Sequence, residues 1–135
     1  MPDGSVDASF STGKGFNSQV YAMQLQSDGR LIAAGNFATY NGAASGKIVR
    51  ILPDGSKDNT FNPGIGANGI IEAIAIQSDG KILAAGRFTS FNDVPCAKLV
   101  RLDPDGSIDN TFSIGDGFDK YVYAIALQSD GKIVL

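Results

Sequence analysis

Apolar residues in this chain come in short runs of four to eight, parted by turns that carry Asp and Gly. Such runs are too short for helices, and their Val, Ile, Leu and Tyr content predicts strands. The pattern divides into four segments. Segment a covers residues 20–26, 71–77 and 122–128; segment b covers 30–37, 81–88 and 132–135. Segment c covers 47–52 and 98–103, and a short segment d covers 7–10, 58–61 and 109–112. Segments a and b are apolar on both faces, as in Ala22-Met23-Gln24-Leu25 and Leu31-Ile32-Ala33-Ala34-Gly35. Strands of that kind are covered on both sides by other sheets, and the Ala-Ala-Gly run lets a neighbouring backbone come close.

The segments recur without drift. Pro2-Asp3-Gly4-Ser5 returns at Pro53-Asp54-Gly55-Ser56 and Pro104-Asp105-Gly106-Ser107, a period of 51 residues. Gln26-Ser27-Asp28-Gly29 keeps the same step at Gln77 and Gln128, and residues 2–52 and 53–103 are identical at 22 of 51 positions. A fixed period of this length means stacked supersecondary units, none of which buries its apolar face alone. Four strands packed face to face against copies of themselves make the blade of a β-propeller. A parallel β-helix is the rival, with shorter coils and no repeated Asp-Gly hairpin turns. The expected fold class is all-β: propeller blades from 51-residue tandem repeats, one segment over residues 1–135, with units 2–52, 53–103 and a shorter 104–135.

The string Val20-Tyr-Ala-Met-Gln-Leu-Gln-Ser-Asp-Gly-Arg-Leu-Ile-Ala-Ala-Gly-Asn-Phe37, followed by Arg50 and Pro53-Asp54-Gly55-Ser56, Asp58 and Phe61, resembles the delta-60 repeat. That family consists of bacterial tandem repeats assigned to propellers. The strand-Asp-Gly-strand rhythm is also similar to NHL-type propellers, in which segment a would be innermost. The resemblance implies a bacterial secreted or cell-surface protein, hence an extracellular or surface location, and it brings no catalytic residues.

Composition narrows the chemistry. A net charge of −3 and the lack of a Lys/Arg run argue against nucleic acid as a partner, and no apolar stretch is long enough to span a bilayer as a helix. Met1 runs straight into the first repeat, leaving no signal peptide to read. Without histidine, a serine–histidine triad and imidazole zinc sites are excluded. Glu72 is the single glutamate, and no carboxylate pair recurs at acid–base spacing. Cys96, the single cysteine, reads as a small loop residue matched by Ser45. The expectation is a protein that is not an enzyme, with no cofactor and no metal. The acidic stretch Asp103-Pro104-Asp105-Gly106-Ser107-Ile108-Asp109 invites calcium. It departs from the Asp-x-Asp-x-Asp-Gly pattern, however, and reads better as a turn stabilised by its own carboxylates.

If the strands alternate in direction, the a–b and c–d turns share one face, and the longer b–c and d–a loops share the other. Variable loops on a rigid scaffold are where binding concentrates. The candidate ligand-binding residues are therefore Tyr40 and Asn41, with their counterparts Phe91, Asn92 and Asp93. An aromatic ring beside an amide can stack on a sugar and bond its hydroxyls. The same residues can equally be a ring plugging the blade end, followed by an Asn-Gly turn. Asn17 and Asn68 lie on the same face, and Asp116, Asp119 and Lys120 read as a solvated tip. In segment c, Lys47, Arg50, Lys98 and Arg101 read as long side chains covering apolar surface with wet heads.

Eleven strands in the order d, abc, d, abc, d, ab leave an incomplete ring, since propellers close with 4–8 blades. A longer parent chain or self-association would complete it. Two copies joined head to tail would give a six-bladed ring, although segment d in place of c would then run parallel to b. The expected function is a non-catalytic scaffold or binding segment with a protein or glycan ligand; the alternative is lectin-like glycan binding through the b–c loop face.

Overall fold

The computed structural model describes residues 3–5, 8–11, 13–115 and 117–135. Pro2 of the first repeat motif, Asp7 at the start of the first segment d, and Asp116 lie outside the described residues. All regular structure among the described residues is strand. In the first unit β1 (Val20–Leu25), β2 (Leu31–Gly35), a two-residue pair β3 (Thr39–Tyr40) and β4 (Ala43–Ala44), and β5 (Ile48–Ile51) follow in order. The second unit repeats them as β6 (Ile71–Ile76), β7 (Ile82–Gly86), β8 (Ser90–Phe91), β9 (Val94–Pro95) and β10 (Leu99–Leu102). The third contributes β11 (Ala126–Leu127) and β12 (Ile133–Val134).

Each of the first two units forms a three-stranded antiparallel sheet with the b strand central, β1-β2-β5 and β6-β7-β10. The a–b turns set the register: the Gln26 amide donates to the Arg30 carbonyl at 2.7 Å, and Gly29 takes φ 88°, a value that glycine alone reaches freely. Asp28 Oδ1 accepts the Arg30 amide at 3.0 Å, the side-chain bond that makes Asp a turn residue. A bulge between Val20 and Ala22 recurs between Ile71 and Ala73, opposite Gly35 and Gly86. A Cβ on either glycine would stand 2.3 or 2.2 Å from the Gln19 or Ile70 carbonyl oxygen. The Ala-Ala-Gly run thus meets the close backbone contact expected of it, within its own sheet.

Packing between units follows one rule. Ile32, Ala34 and Ile48 of the first sheet bury themselves against Ile74, Ile82, Ala84, Val100 and Leu102 of the second. The opposite face of the second sheet, Ala75, Leu83, Ala85 and Leu99, is covered by Val122, Ile125 and Ile133. The sheet β6-β7-β10 is therefore sandwiched, which explains why its a and b strands read as apolar on both faces. Among the described residues the first sheet has no such partner on its other face, where Ala33, Val49 and Ile51 are buried beneath Phe16, Phe37 and Tyr40 but the β1 edge is left bare. At that edge Tyr21, Met23 and Leu25 are exposed, Leu25 at 69%.

Three expectations need correction. Segment d is no strand: a single bridge joins Ile51 to Lys57, or Leu102 to Ile108, and the chain then turns. Asp58 Oδ1 accepts both the amide (2.9 Å) and the hydroxyl (2.6 Å) of Thr60, and Asp109 does the same for Thr111. These local acceptors outcompete a ladder for the backbone. Second, the b–c connections hold hairpins, because Asn41 and Gly42 (φ 50° and 79°), like Asn92 and Asp93 (φ 51° and 62°), provide the two positive φ angles of a two-residue turn. Third, strand a of the last unit shrinks from the expected 122–128 to β11, since β12 offers only two residues to pair with it.

Candidate functional site

The b–c and d–a loops do share one face, as their mutual bonds require. Asn17 Oδ1 accepts the amides of Ala38 and Thr39 at 2.8 and 3.1 Å, and Asn68 Oδ1 accepts those of Thr89 and Ser90 at 2.9 and 3.1 Å. Asn41 and Asn92 reach back the other way, to the amides of Lys14 (3.0 Å) and Ile65 (3.3 Å). These four asparagines tie the two loop sets together.

The rings beside them face inward. Tyr40 and Phe91 are fully buried, and Phe16 packs tilted on Tyr40 and Phe37, with centroids 4.8 and 4.6 Å apart. The Tyr40 hydroxyl donates to the Gly55 carbonyl, and burial, then the Asp54 charge, raises its pKa. Of the five candidate residues, Tyr40 and Phe91 form the plug over the blade end and offer no ring face to a sugar. Asn41, Asn92 and Asp93 shape the exposed hairpin turns.

The exposed aromatic residues of this face lie elsewhere. Tyr121 and Tyr123 meet edge to face, 6.4 Å apart, and the Arg87 guanidinium stands 5.4 and 5.5 Å from their centroids. Glu72, on the β6 bulge, fixes Arg87 through its Nε at 2.5 Å. Arg87, Tyr121 and Tyr123, with Thr89, Lys98, Asp119 and Lys120, line a cleft of about 690 Å³. No repeat pattern marks this group, since positions 21, 72 and 123 are Tyr, Glu and Tyr, and only the fold brings Arg87 beside the two tyrosines.

On the opposite face the charged residues form a repeated clamp. Arg50, read above as a wet head, is 5% exposed. Its Nε meets Asp58 at 2.7 Å, and its other nitrogens reach Thr60 Oγ1 (3.0 Å) and the Pro104 carbonyl (2.7 Å). Arg30 adds a second charge to Asp58 at 3.4 Å. In the next unit Arg101 and Lys81 hold Asp109 at 2.8 and 2.7 Å. Burial alone would raise the Asp58 pKa; the Thr60 hydroxyl and amide and the Arg50 guanidinium overcome it and hold the group down at about 2. Asp109 is likewise lowered, first by Lys81, then by Thr111. In the acidic stretch Asp105 accepts the amide and hydroxyl of Ser107 at 3.0 and 2.6 Å. Asp105 and Asp109 are thus engaged by the protein's own donors. Cys96 is half-buried, and loss of solvent pushes its thiol up to about 11.

Sheets of antiparallel strands, stacked by repeated apolar faces and joined through d-to-a crossings, define a β-propeller repeat protein. Comparison with protein families agrees: residues 26–61 and 77–112 match the family described as a β-propeller domain of unknown function, DUF5122. The chain belongs to that family. No curated protein matches it.

Proposed function

We propose that the chain is a non-catalytic scaffold or binding segment, which completes its blades by joining head to tail with a second copy. The observation that carries this is the uncovered sheet face of β1. In the second unit the equivalent residues Ile74 and Ile76 are packed under the Ile32 face of the unit before. In the first unit, Tyr21, Met23 and Leu25 meet solvent. Repeat faces of this kind are stable when covered by their own kind. The buried carboxylates Asp58 and Asp109 are held by Arg50, Arg101 and Lys81, which favours a structural role for them. A secreted or cell-surface setting in a bacterium follows from the delta-60 resemblance. The test is sedimentation velocity of the wild-type chain and of Met23→Lys. A wild-type dimer that Met23→Lys converts to monomer supports the reading, and a wild-type monomer at all concentrations refutes it.

The cleft at Arg87 favours a second reading, saccharide binding on the loop face through Tyr121 and Tyr123 in place of the buried rings. Exposed tyrosines beside cations stack on sugars and bond acidic substituents. A glycan array probed with wild-type protein and Tyr121→Ala decides it: hits lost in the variant support the reading, and an empty array removes it.

A further inference from the structure

We infer that the cavity at Arg101 and Ser113 is a seat for the Asp3-Gly4-Ser5 turn of a second copy of this chain, an inference that rests on the self-association proposed above and names its contact. Two occupied seats inside the molecule supply the template. The Ser11 amide donates to the Asp54 carbonyl at 2.8 Å, and the Asn62 amide to the Asp105 carbonyl at 2.7 Å. Each Pro-Asp-Gly-Ser turn therefore rests on the residue 43 positions before its Asp. The second seat has one more donor, Arg50, which reaches the Pro104 carbonyl. Both turns come so close that a Cβ on Gly55 would stand 2.3 Å from the Ser11 carbonyl oxygen, and one on Gly106 3.0 Å from Asn62 backbone.

The third member of the series is Ser113, with Arg101 in the place of Arg50. Arg101 keeps its clamp on Asp109, but among the described residues no turn rests on Ser113. In its place lies an open cavity of about 340 Å³, lined by Arg101, Ile108, Phe112, Ser113 and Ile114. The donors of the seat, the Ser113 amide and the Arg101 guanidinium, are present.

A matching occupant is present at the other end of the chain. Asp3 Oδ1 accepts the amide and hydroxyl of Ser5 at 3.0 and 2.6 Å, as Asp54 does for Ser56 (2.9 and 2.6 Å) and Asp105 for Ser107. Gly4 has φ 82°, beside 89° and 92° at Gly55 and Gly106. The turn is therefore formed in the shape that the seats accept. Unlike its two copies it has no seat among the described residues: a Cβ on Gly4 would meet none of their atoms within 4 Å. Seat and turn lie at opposite ends of one chain, so the contact is heterologous, as head-to-tail assembly requires.

Gly4→Asn separates docking from folding. Asn tolerates positive φ, so the free turn keeps its shape, while the added Cβ meets backbone in an occupied seat. Native mass is measured over a dilution series for the wild type, for Gly4→Asn and for a chain that begins at Val6 and so lacks the turn. The expected result is a wild-type dimer, with dissociation about tenfold or more easier in both variants and unchanged thermal midpoints of the monomers. A dimer that both variants form at wild-type concentrations overturns the seat and leaves self-association standing through the β1 face. A wild-type chain that stays monomeric overturns both.

Discussion

Protonating Asp58 should loosen the fold by an amount that the clamp geometry fixes. Its carboxylate is 3% exposed and accepts bonds from Arg50, from the Thr60 amide and from the Thr60 hydroxyl. The folded value of about 2 lies roughly two units below the 3.9 of an unfolded Asp, and each unit is worth about 1.4 kcal/mol. The unfolded chain takes up the proton first as pH falls. The stabilisation is therefore fully present above about pH 4 and is lost on the way down to about pH 2, to the extent of about 2 kcal/mol. Asp109 acts in the same direction. The assay is urea unfolding at pH 7, 5, 4, 3 and 2 for the wild type and Asp58→Asn. At pH 7 the variant should lose about 3 kcal/mol, because Arg50 is left buried without its counter-charge. Between pH 4 and 2 it should fall by about 2 kcal/mol less than the wild type. Parallel pH curves for the two proteins would refute the clamp as the source of the acid sensitivity.

Three further outcomes follow from packing. Tyr40→Phe removes the hydroxyl bond to Gly55 and leaves the ring in place, as in Phe91; a loss of about 1 kcal/mol in urea unfolding is expected. Gly86→Ala drives a methyl to within 2.2 Å of the Ile70 carbonyl and should cost about 3 kcal/mol or prevent folding, read from the thermal midpoint. Cys96, with its thiol pushed up to about 11, should react with a thiol reagent at pH 7.5 far more slowly than free cysteine does, and reach the normal rate once unfolded in urea.

What could be read from the chain was whatever one repeat holds by itself. The a, b and c strands, the Asp-Gly turns and the sorting of loops onto two faces follow from local pattern, and the structure agrees. Segment d misled because the repeated Phe61 and Phe112 suggest a strand residue, while Asp58 and Thr60 encode a turn that strand propensity does not register. Arg50 misled in another way. Its partner Asp58 stands eight residues on, and Arg101 and Asp109 keep that spacing, yet only the fold turns the repeat into a buried pair. The ligand candidates were chosen as aromatic residues beside amides, and Tyr40 and Phe91 proved to be buried. The exchange of Tyr for Phe at one repeat position was a sign of a ring used for packing. No local pattern could have revealed the cleft at Arg87, since its residues come from a strand bulge, a strand end and the following crossing.

The repeat rule that orders the interior also accounts for the surfaces left open, and amide hydrogen exchange resolved to single residues tests that account most directly. The Asn62 amide, bonded to Asp105 inside the molecule, should be protected at every protein concentration. The Ser113 amide should exchange freely in dilute solution and become protected as concentration rises and the turn of a second copy takes its seat. Equal exchange of Ser113 at low and high concentration would contradict the account.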